Sequence, residues 1–309
     1  DSVSTKLNRT LAPHLIVCVL ACPKKTRQNK RRMFIQSQAI ALQIRPWSKT
    51  SHMVTWLTPD YGKVVTVVKG ACRPKSAFLG QYDLFYTCDL LFYRRDHDGV
   101  HAIRECEPID LREPLRGNWR QATAAAYLAD LTARVTPEHQ SNRALYSLFS
   151  QTLDGLAYSQ ENPSHKLILG YEINLLRHLG VLPDFTTCPL CHTPDRTWLR
   201  FSLPSGRFLC KHTGTRLPNE ATLPVHRDVQ SLFLSFCGTD NVLSKNHPPF
   251  ALASNKNDVS SNLLFGLSRF LGMFIAFHLD VPSAVRRVAL EMLNANHTQQ
   301  TALLETSQT

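Results

Sequence analysis

The chain has 309 residues, of which 43% are hydrophobic and 19% are charged, which is an ordinary balance for a folded globular protein with room for two domains. No internal repeat or low-complexity tract interrupts it, which argues against a solenoid or fibrous protein. The formal net charge is +11 at pH 7, but residues 1–32 carry +7 of it, so the rest of the chain is only mildly basic.

Residues 1–32 form an upstream basic segment. It contains an apolar run at residues 11–22 that is interrupted by Pro13 and His14, and the run is too short to span a bilayer. The first methionine of the chain is Met33, directly before the first strand pattern. We therefore expect the segment to be disordered or to precede the true start. A secretory signal is the alternative, because residues 19–22 (VLAC) resemble a lipoprotein cleavage site.

Residues 33–110 have the alternating pattern of β-strands. Five short runs carry it, at residues 34–44, 51–57, 62–69, 84–94 and 100–107. A longer basic connection follows the third run, and an Asp-His-Asp-Gly turn joins the last two. This arrangement predicts a small closed barrel of the oligonucleotide/oligosaccharide-binding (OB) type.

The third strand leads into a basic turn at residues 69–76. Gly70 ends the strand pattern, Pro74 cannot continue a sheet ladder, and the cations Lys69, Arg73 and Lys75 flank them. Cations on a loop held by a rigid strand suit contacts to a phosphate backbone, for which charge matters more than sequence. An ordinary solvated turn remains the alternative interpretation.

Residues 111–293 change to helical periodicity. Apolar residues repeat at helical spacing over residues 119–135, 145–156, 168–182, 225–236 and 262–279, which predicts an all-α domain. The most apolar stretch, residues 263–281, contains Arg269, His278 and Asp280, so we interpret it as a buried helix and not as a membrane span. Residues 239–261 are expected to form a mobile loop, and residues 294–309 a polar tail.

A cysteine-bearing insertion at about residues 184–218 interrupts the helices. Cys188 and Cys191 have the C-x-x-C spacing that lets two thiolates reach one tetrahedral zinc ion, and Cys210 and His212 follow as a second half-site. Position 213, where a full motif requires cysteine, is occupied by Thr213, so the fourth ligand would be His212, with an unusual C-x-H spacing, or His192, or none. The prediction is a possible but incomplete Zn²⁺ site; a metal-free remnant and a disulfide or catalytic pair remain alternatives. Nine cysteines in total favour a reducing compartment.

Three phrases of the sequence resemble the RecO family of bacterial recombination mediators. They are TPDYGKVVTVVKGACRPKS at residues 58–76, YEINLLRHLGVLPDFTTCPLC at 171–191 and FHLDVPSAVR at 277–286. The resemblance covers about residues 33–293 and implies an α+β protein of two domains, an N-terminal OB barrel and an all-α domain with an embedded zinc-finger-like insertion. Two departures stand out: Cys72 occupies a position where the family usually has an arginine, and Thr213 leaves the metal site incomplete.

The resemblance also implies a function in DNA repair without catalysis. Members bind single- and double-stranded DNA, anneal complementary strands, act with RecR, and help to load RecA on DNA coated with single-strand-binding protein (SSB), whose C-terminal tail they bind. For this chain it implies a cytoplasmic, nucleoid-associated protein without a membrane partner. The phosphate-contacting residues would be Lys63, Lys69, Arg73, Lys75, Arg94 and Arg95, with Arg45 and Lys49 as further candidates.

Two further points concern the mechanism. An exposed aromatic residue such as Trp47, Tyr61 or Tyr82 could stack on an unpaired base, although a place in the barrel core is the alternative for each. An enzyme is not expected, because the sequence has no H-E-x-x-H, phosphate-cradling glycine loop or G-x-S-x-G motif. A protein-binding adaptor with an OB barrel is the main alternative function, and a zinc-dependent hydrolase is a distant one.

Overall fold

The computed structural model describes residues 33–94, 99–158, 165–182, 192, 200–209, 222–237 and 261–293. From Met33 onward the chain forms one compact unit. The expectations for residues 1–32, the loop at 239–261 and the tail at 294–309 fall on segments that lie outside the described residues, apart from Ser261 at the start of a helix.

Five strands close into a barrel: β1 (Met33–Ser48), β2 (Ser51–Thr58), β3 (Gly62–Val68), β4 (Thr87–Arg94) and β5 (Val100–Asp110). Their order around the barrel is β1-β2-β3-β5-β4. The first strand is long enough to pair twice: residues 33–40 pair with β4, residues 40–48 pair with β2, and the β1–β2 ladder contains a register shift between Ala41 and Gln43. The barrel closes through a parallel contact between β3 and β5. The predicted OB-like fold is therefore confirmed.

The barrel interior follows from side-chain alternation. Val64, Thr66 and Val68 on β3 are all buried, as their period of two predicts. Trp56 on β2 is fully buried, and its indole Nε1 donates a hydrogen bond to Thr66 Oγ1 at 2.9 Å. The one polar side chain on this face of β3 is thus satisfied inside the barrel, which avoids the cost of an unpaired buried hydroxyl.

Helices follow the barrel, as the change of periodicity predicts. The helix α2 begins after Asn118, whose side-chain oxygen accepts hydrogen bonds from the backbone amides of Arg120 and Gln121. Neither the short α1 nor α7, after the turn at Asp280, was predicted. The helices are α1 (Pro114–Gly117), α2 (Trp119–Val135), α3 (Arg143–Tyr158), α4 (His165–His178), α5 (Arg227–Cys237), α6 (Ser261–Leu279) and α7 (residues 283–293).

A small antiparallel sheet, in the order β7-β6-β8, lies between α4 and α5. Its strands are β6 (Arg200–Ser202), β7 (Arg207–Leu209) and β8 (Thr222–Pro224). Phe201 from this sheet packs edge-on against Phe208 and against Phe270 and Phe274 of α6, with ring centroids 4.8–5.7 Å apart. Phe208 also contacts Phe270, in a tilted arrangement at 5.8 Å. These aromatic contacts anchor the described part of the insertion on the helical core.

Helix α6 is a core helix despite its apolar composition. The stretch Asn262–Leu279 is long and apolar enough to cross a membrane by length and composition. Its residues Leu267, Leu271 and Phe274, however, are buried in the same hydrophobic cluster as the other helices. The outer side of α6 leaves Phe265 and Phe277 exposed.

Arg112 joins the barrel to the helices. Its side chain is 2% exposed, and its guanidinium donates to Asp154 Oδ1 of α3 at 2.7 Å, to the carbonyl of Phe85 at 2.7 Å and to Thr87 Oγ1 at 2.8 Å. The surrounding core is shared, because the barrel residues Ile40, Leu42, Leu57 and Phe85 belong to the same buried cluster as the helices.

A buried ion pair holds α4 to α7. The guanidinium of Arg286 donates to both carboxylate oxygens of Glu172, at 2.7 and 2.8 Å, and Glu172 is fully buried. The hydroxyl of Tyr127 on α2 donates to Glu172 Oε1 at 2.6 Å. Burial, with the Glu172 charge, raises the pKa of Tyr127 well above its ordinary value, so the phenol stays protonated and remains a donor.

Candidate nucleic-acid interface

The basic loop, residues 69–76, is a series of fixed turns. Gly70 has a φ of +71°, a conformation that favours glycine, and its carbonyl accepts a hydrogen bond from the amide of Arg73 at 3.1 Å. The amide of Ser76 then donates to the carbonyl of Arg73 at 3.0 Å. Lys69, Arg73 and Lys75 are all exposed. The loop therefore presents three cations from a defined backbone.

The tip of the β1–β2 hairpin, residues 45–50, lies directly beside the basic loop. The amide of Cys72 donates to the carbonyl of Thr50 at 3.2 Å, and the amide of Gly70 donates to Ser51 Oγ at 3.3 Å. The hairpin tip exposes Arg45, Trp47 and Lys49, and Trp47 is 55% exposed. Two segments that are distant in sequence thus form one basic surface with an exposed indole, which we call the loop–hairpin surface.

A chain of polar side chains lies within this surface. The thiol of the exposed Cys72 lies 3.2 Å from Nε2 of His52, and Nδ1 of the same imidazole lies 2.7 Å from the hydroxyl of Tyr82. Burial, followed by the charge of Cys72, raises the pKa of Tyr82 above its ordinary value, so the phenol stays protonated. The family that this sequence resembles usually has an arginine at the position of Cys72. In this structure the position holds a thiol within hydrogen-bond distance of the His52 imidazole.

Lys63 does not lie with the other loop cations. It stands at the start of β3, six residues before Lys69, which is about 20 Å away along an extended strand. Its ammonium donates to the carbonyl of Ala133 on α2 at 2.9 Å, and its own carbonyl accepts from the amide of His139 at 3.1 Å. Lys63 thus contacts the helices, in a role that sequence pattern alone could not reveal.

The other predicted site residues are only partly described. Arg94 ends β4 opposite Met33, at the Lys63 end of the barrel, and the structure describes its backbone only. Arg95 lies outside the described residues, as do the four predicted zinc ligands Cys188, Cys191, Cys210 and His212. Within the described ranges, three or more His, Cys, Asp or Glu side chains do not come together in a group that could hold a metal ion.

Of the three candidate stacking residues, only Trp47 is well exposed. Tyr61 packs against the barrel core, where its ring meets Phe92 at 6.2 Å, and Tyr82 packs against Trp56 at 6.1 Å. Trp47 alone combines a large exposed face with neighbouring cations, which is the combination that base stacking requires.

Another face of the barrel is acidic and was not predicted. Asp89 on β4 and Glu105 and Glu107 on β5 line a groove of about 400 Å³, together with Gln36 of β1, whose amide donates to Asp89 Oδ2 at 2.6 Å. The sequence did contain a signal for this face, because Glu105 and Glu107 are two residues apart on β5 and therefore point to the same side of the sheet. A face of this charge repels phosphates, so the barrel surface is electrostatically polarised.

Comparison with known proteins identifies the family. Residues 33–112 match the family model described as Recombination protein O N terminal, and residues 116–226 match Recombination protein O C terminal. The chain is 30% identical over 179 residues to the DNA repair protein RecO of Alkaliphilus metalliredigens, an alignment that covers 58% of this chain and 71% of that protein.

Two further similar proteins carry the same family name. The chain is 26% identical over 204 residues to the DNA repair protein RecO of Bacillus mycoides, which covers 66% of this chain and 79% of that protein. It is 26% identical over 180 residues to the RecO protein of Halalkalibacterium halodurans, covering 58% and 68%. The chain therefore belongs to the RecO family of DNA repair proteins, which are recombination mediators and not enzymes.

Proposed function

We propose that the loop–hairpin surface binds single-stranded DNA and that the protein uses it to anneal complementary strands. The observation that carries the proposal is the hydrogen bond from the amide of Cys72 to the carbonyl of Thr50, because it brings the basic loop beside the hairpin tip. Lys69, Arg73 and Lys75 then share one surface with Arg45 and Lys49. Lys63, Arg94 and Arg95 are left outside this set.

The chemistry of the surface fits a single strand better than a particular sequence. Lysine and arginine neutralise phosphates irrespective of the bases, and Trp47 offers a flat ring on which any base can stack. Each phosphate contact contributes about 0.7 to the slope of log affinity against log salt for a single strand, so five cations account for a slope of up to about 3.5. A strand held through its phosphates keeps its bases free to pair with a complement.

The partners follow from family membership. As a RecO protein, the chain would act with RecR, bind the C-terminal tail of SSB and assist RecA in replacing SSB on single-stranded DNA, in the cytoplasm and close to the nucleoid. Double-stranded DNA would bind through the same phosphate contacts. The insertion would hold Zn²⁺ through Cys188, Cys191, Cys210 and His212, where the metal would stabilise the fold without taking part in strand binding.

The test is charge reversal with a matched control. We compare Arg73→Glu/Lys75→Glu with Arg104→Glu/Arg287→Glu, which changes the net charge equally at side chains that are 68% and 73% exposed on β5 and α7. Fluorescence anisotropy of a labelled oligonucleotide at two or more salt concentrations gives affinity and salt slope, and adding the complement gives the annealing rate.

The loop variant is expected to bind single strands at least about 25-fold more weakly at 0.1 M salt, since each lost contact is worth about 5-fold there, and to lower the salt slope by about 1.4. The control variant should bind nearly as well as the wild type. Equal losses in both variants would remove the loop from the site. If the wild type itself did not bind at low salt, the adaptor function would replace the proposed one.

A further inference from the structure

The side chains of Cys72, His52 and Tyr82 form a relay of a nucleophile, a base and an orienting group. The thiol lies 3.2 Å from His52 Nε2, and His52 Nδ1 lies 2.7 Å from the Tyr82 hydroxyl. The geometry accommodates the tautomer in which Nδ1–H donates to the Tyr82 oxygen and Nε2 accepts the thiol proton. Activated cysteine nucleophiles share this arrangement, in which a base within hydrogen-bond reach is held by a third group.

Cys72 is flanked by cations and open to solvent. The exposed cations Lys69 and Arg73 lie three residues before it and one residue after it in the basic loop. The thiol is also exposed, so a small reagent can reach it. A base within hydrogen-bond distance and an exposed sulfur are two separate features of reactive cysteines, and this position has both.

The cysteines of the barrel core provide the contrast. Cys88 and Cys106 are buried, and their sulfur atoms lie 3.6 and 3.5 Å from the same carbonyl oxygen, that of Gln81. A hydrogen bond with Cys106, together with burial, raises the pKa of Cys88 far above its ordinary value. Cys88 therefore stays protonated, and because both side chains are buried the two thiols serve as internal references for reactivity.

We propose that Cys72 is a hydroperoxide-sensitive switch that turns off strand binding by the loop–hairpin surface. The proposal rests on the function proposed above. The Cys72 thiolate, having given its proton to His52, attacks one oxygen of a hydroperoxide: an S–O bond forms, the O–O bond breaks, and the leaving alkoxide or hydroxide takes the proton from His52. The products are a sulfenic acid and an alcohol or water. A low-molecular-weight thiol then attacks the sulfenic sulfur, which releases water and leaves a mixed disulfide.

The modified loop is unsuited to a phosphate backbone. With glutathione as the thiol, the adduct brings two carboxylates and one ammonium, and therefore one net negative charge, next to Arg73. Each phosphate contact that this charge and bulk remove lowers single-strand affinity about 5-fold at 0.1 M salt. Loss of one or two contacts predicts a decrease of about 5- to 25-fold, which a reductant reverses because it releases the disulfide.

The experiment separates reactivity from binding. The full-length protein is treated with hydrogen peroxide and then glutathione, and peptide mass spectrometry follows modification of Cys72 against Cys88 and Cys106. The same reaction is run on His52→Gln and Tyr82→Phe. Single-strand affinity is measured by anisotropy before treatment, after treatment and after reduction, in the wild type and in Cys72→Ser, and each protein is compared with its own untreated form.

We expect Cys72 to react at least about ten times faster than Cys88 and Cys106. His52→Gln should remove most of this difference in rate. The affinity for single-stranded DNA should fall reversibly in the wild type but not in Cys72→Ser. Equal modification rates at the three cysteines would overturn the proposal, and so would complete modification of Cys72 with unchanged affinity. Failure of the untreated protein to bind DNA would refute the proposed function instead. The mass spectrometry would still test whether His52 activates Cys72.

Discussion

The buried pair of Glu172 and Arg286 allows a quantitative prediction about stability. Replacing Arg286 by methionine keeps most of the apolar stem but removes both charge-assisted bonds, at 2.7 and 2.8 Å, from a carboxylate that is fully buried. Only the Tyr127 hydroxyl, at 2.6 Å, then remains on that carboxylate. An uncompensated buried charge costs about 3–5 kcal/mol. With a urea m-value of about 2–3 kcal/mol/M, the unfolding midpoint should fall by about 1–2.5 M.

The assay is urea unfolding followed by circular dichroism, with two comparisons. Arg287→Met removes a neighbouring arginine whose side chain is 73% exposed, and it should shift stability by less than about 0.5 kcal/mol. The double variant Glu172→Gln/Arg286→Met keeps a hydrogen-bond acceptor for Tyr127 and removes the buried charge, so it should lose less stability than Arg286→Met alone. If Arg286→Met were no worse than Arg287→Met, the pair would not stabilise the contact between α4 and α7.

Three further predictions concern single positions. Gly62→Ala should destabilise the protein by about 2 kcal/mol or more in the same assay. Gly62 has a φ of +63°, and an added Cβ would lie 2.0 Å from the carbonyl oxygen of Gln140. Near-normal stability of the variant would contradict this close approach. Trp47→Ala should weaken single-strand binding in anisotropy by about 1–3 kcal/mol, whereas Trp119→Ala, which removes an indole that is 56% exposed on α2, should not. Elemental analysis should find about one zinc ion per chain, lowered by Cys188→Ser, and a metal-free wild type would exclude the site.

The barrel could be predicted because its signal is local. Val64, Thr66 and Val68 share one buried face of a strand, and a period of two needs only a few residues to be recognised. The same is true of the long helices, whose apolar positions repeat over several turns. The strands β6, β7 and β8 have three residues each, which is too short for any period to be recognised, and the sequence predicted a zinc-finger-like insertion there without assigning its strands.

The site could be predicted only in part, because its remaining contacts are tertiary. The sequence grouped Lys63 with Lys69, Arg73 and Lys75 by charge, but composition does not tell which end of a strand faces the helices. Cys72 was recognised as a departure from the family pattern, yet its approach to His52 depends on how the basic loop folds back onto β2. Glu172 and Arg286 are 114 residues apart, so no local spacing could pair them.

The junction at Arg112 has a practical consequence for anyone who divides this protein into pieces. The two family models meet between residues 112 and 116, which invites expression of the barrel by itself. Such a fragment would expose Ile40, Leu42, Leu57 and Phe85 to water and would separate the Arg112 guanidinium from Asp154. An exposed apolar patch of this kind promotes aggregation. A failure of the isolated barrel to bind DNA would therefore reflect misfolding of the fragment and not a property of the whole protein. Assays of strand binding should keep the barrel and the helices on one chain.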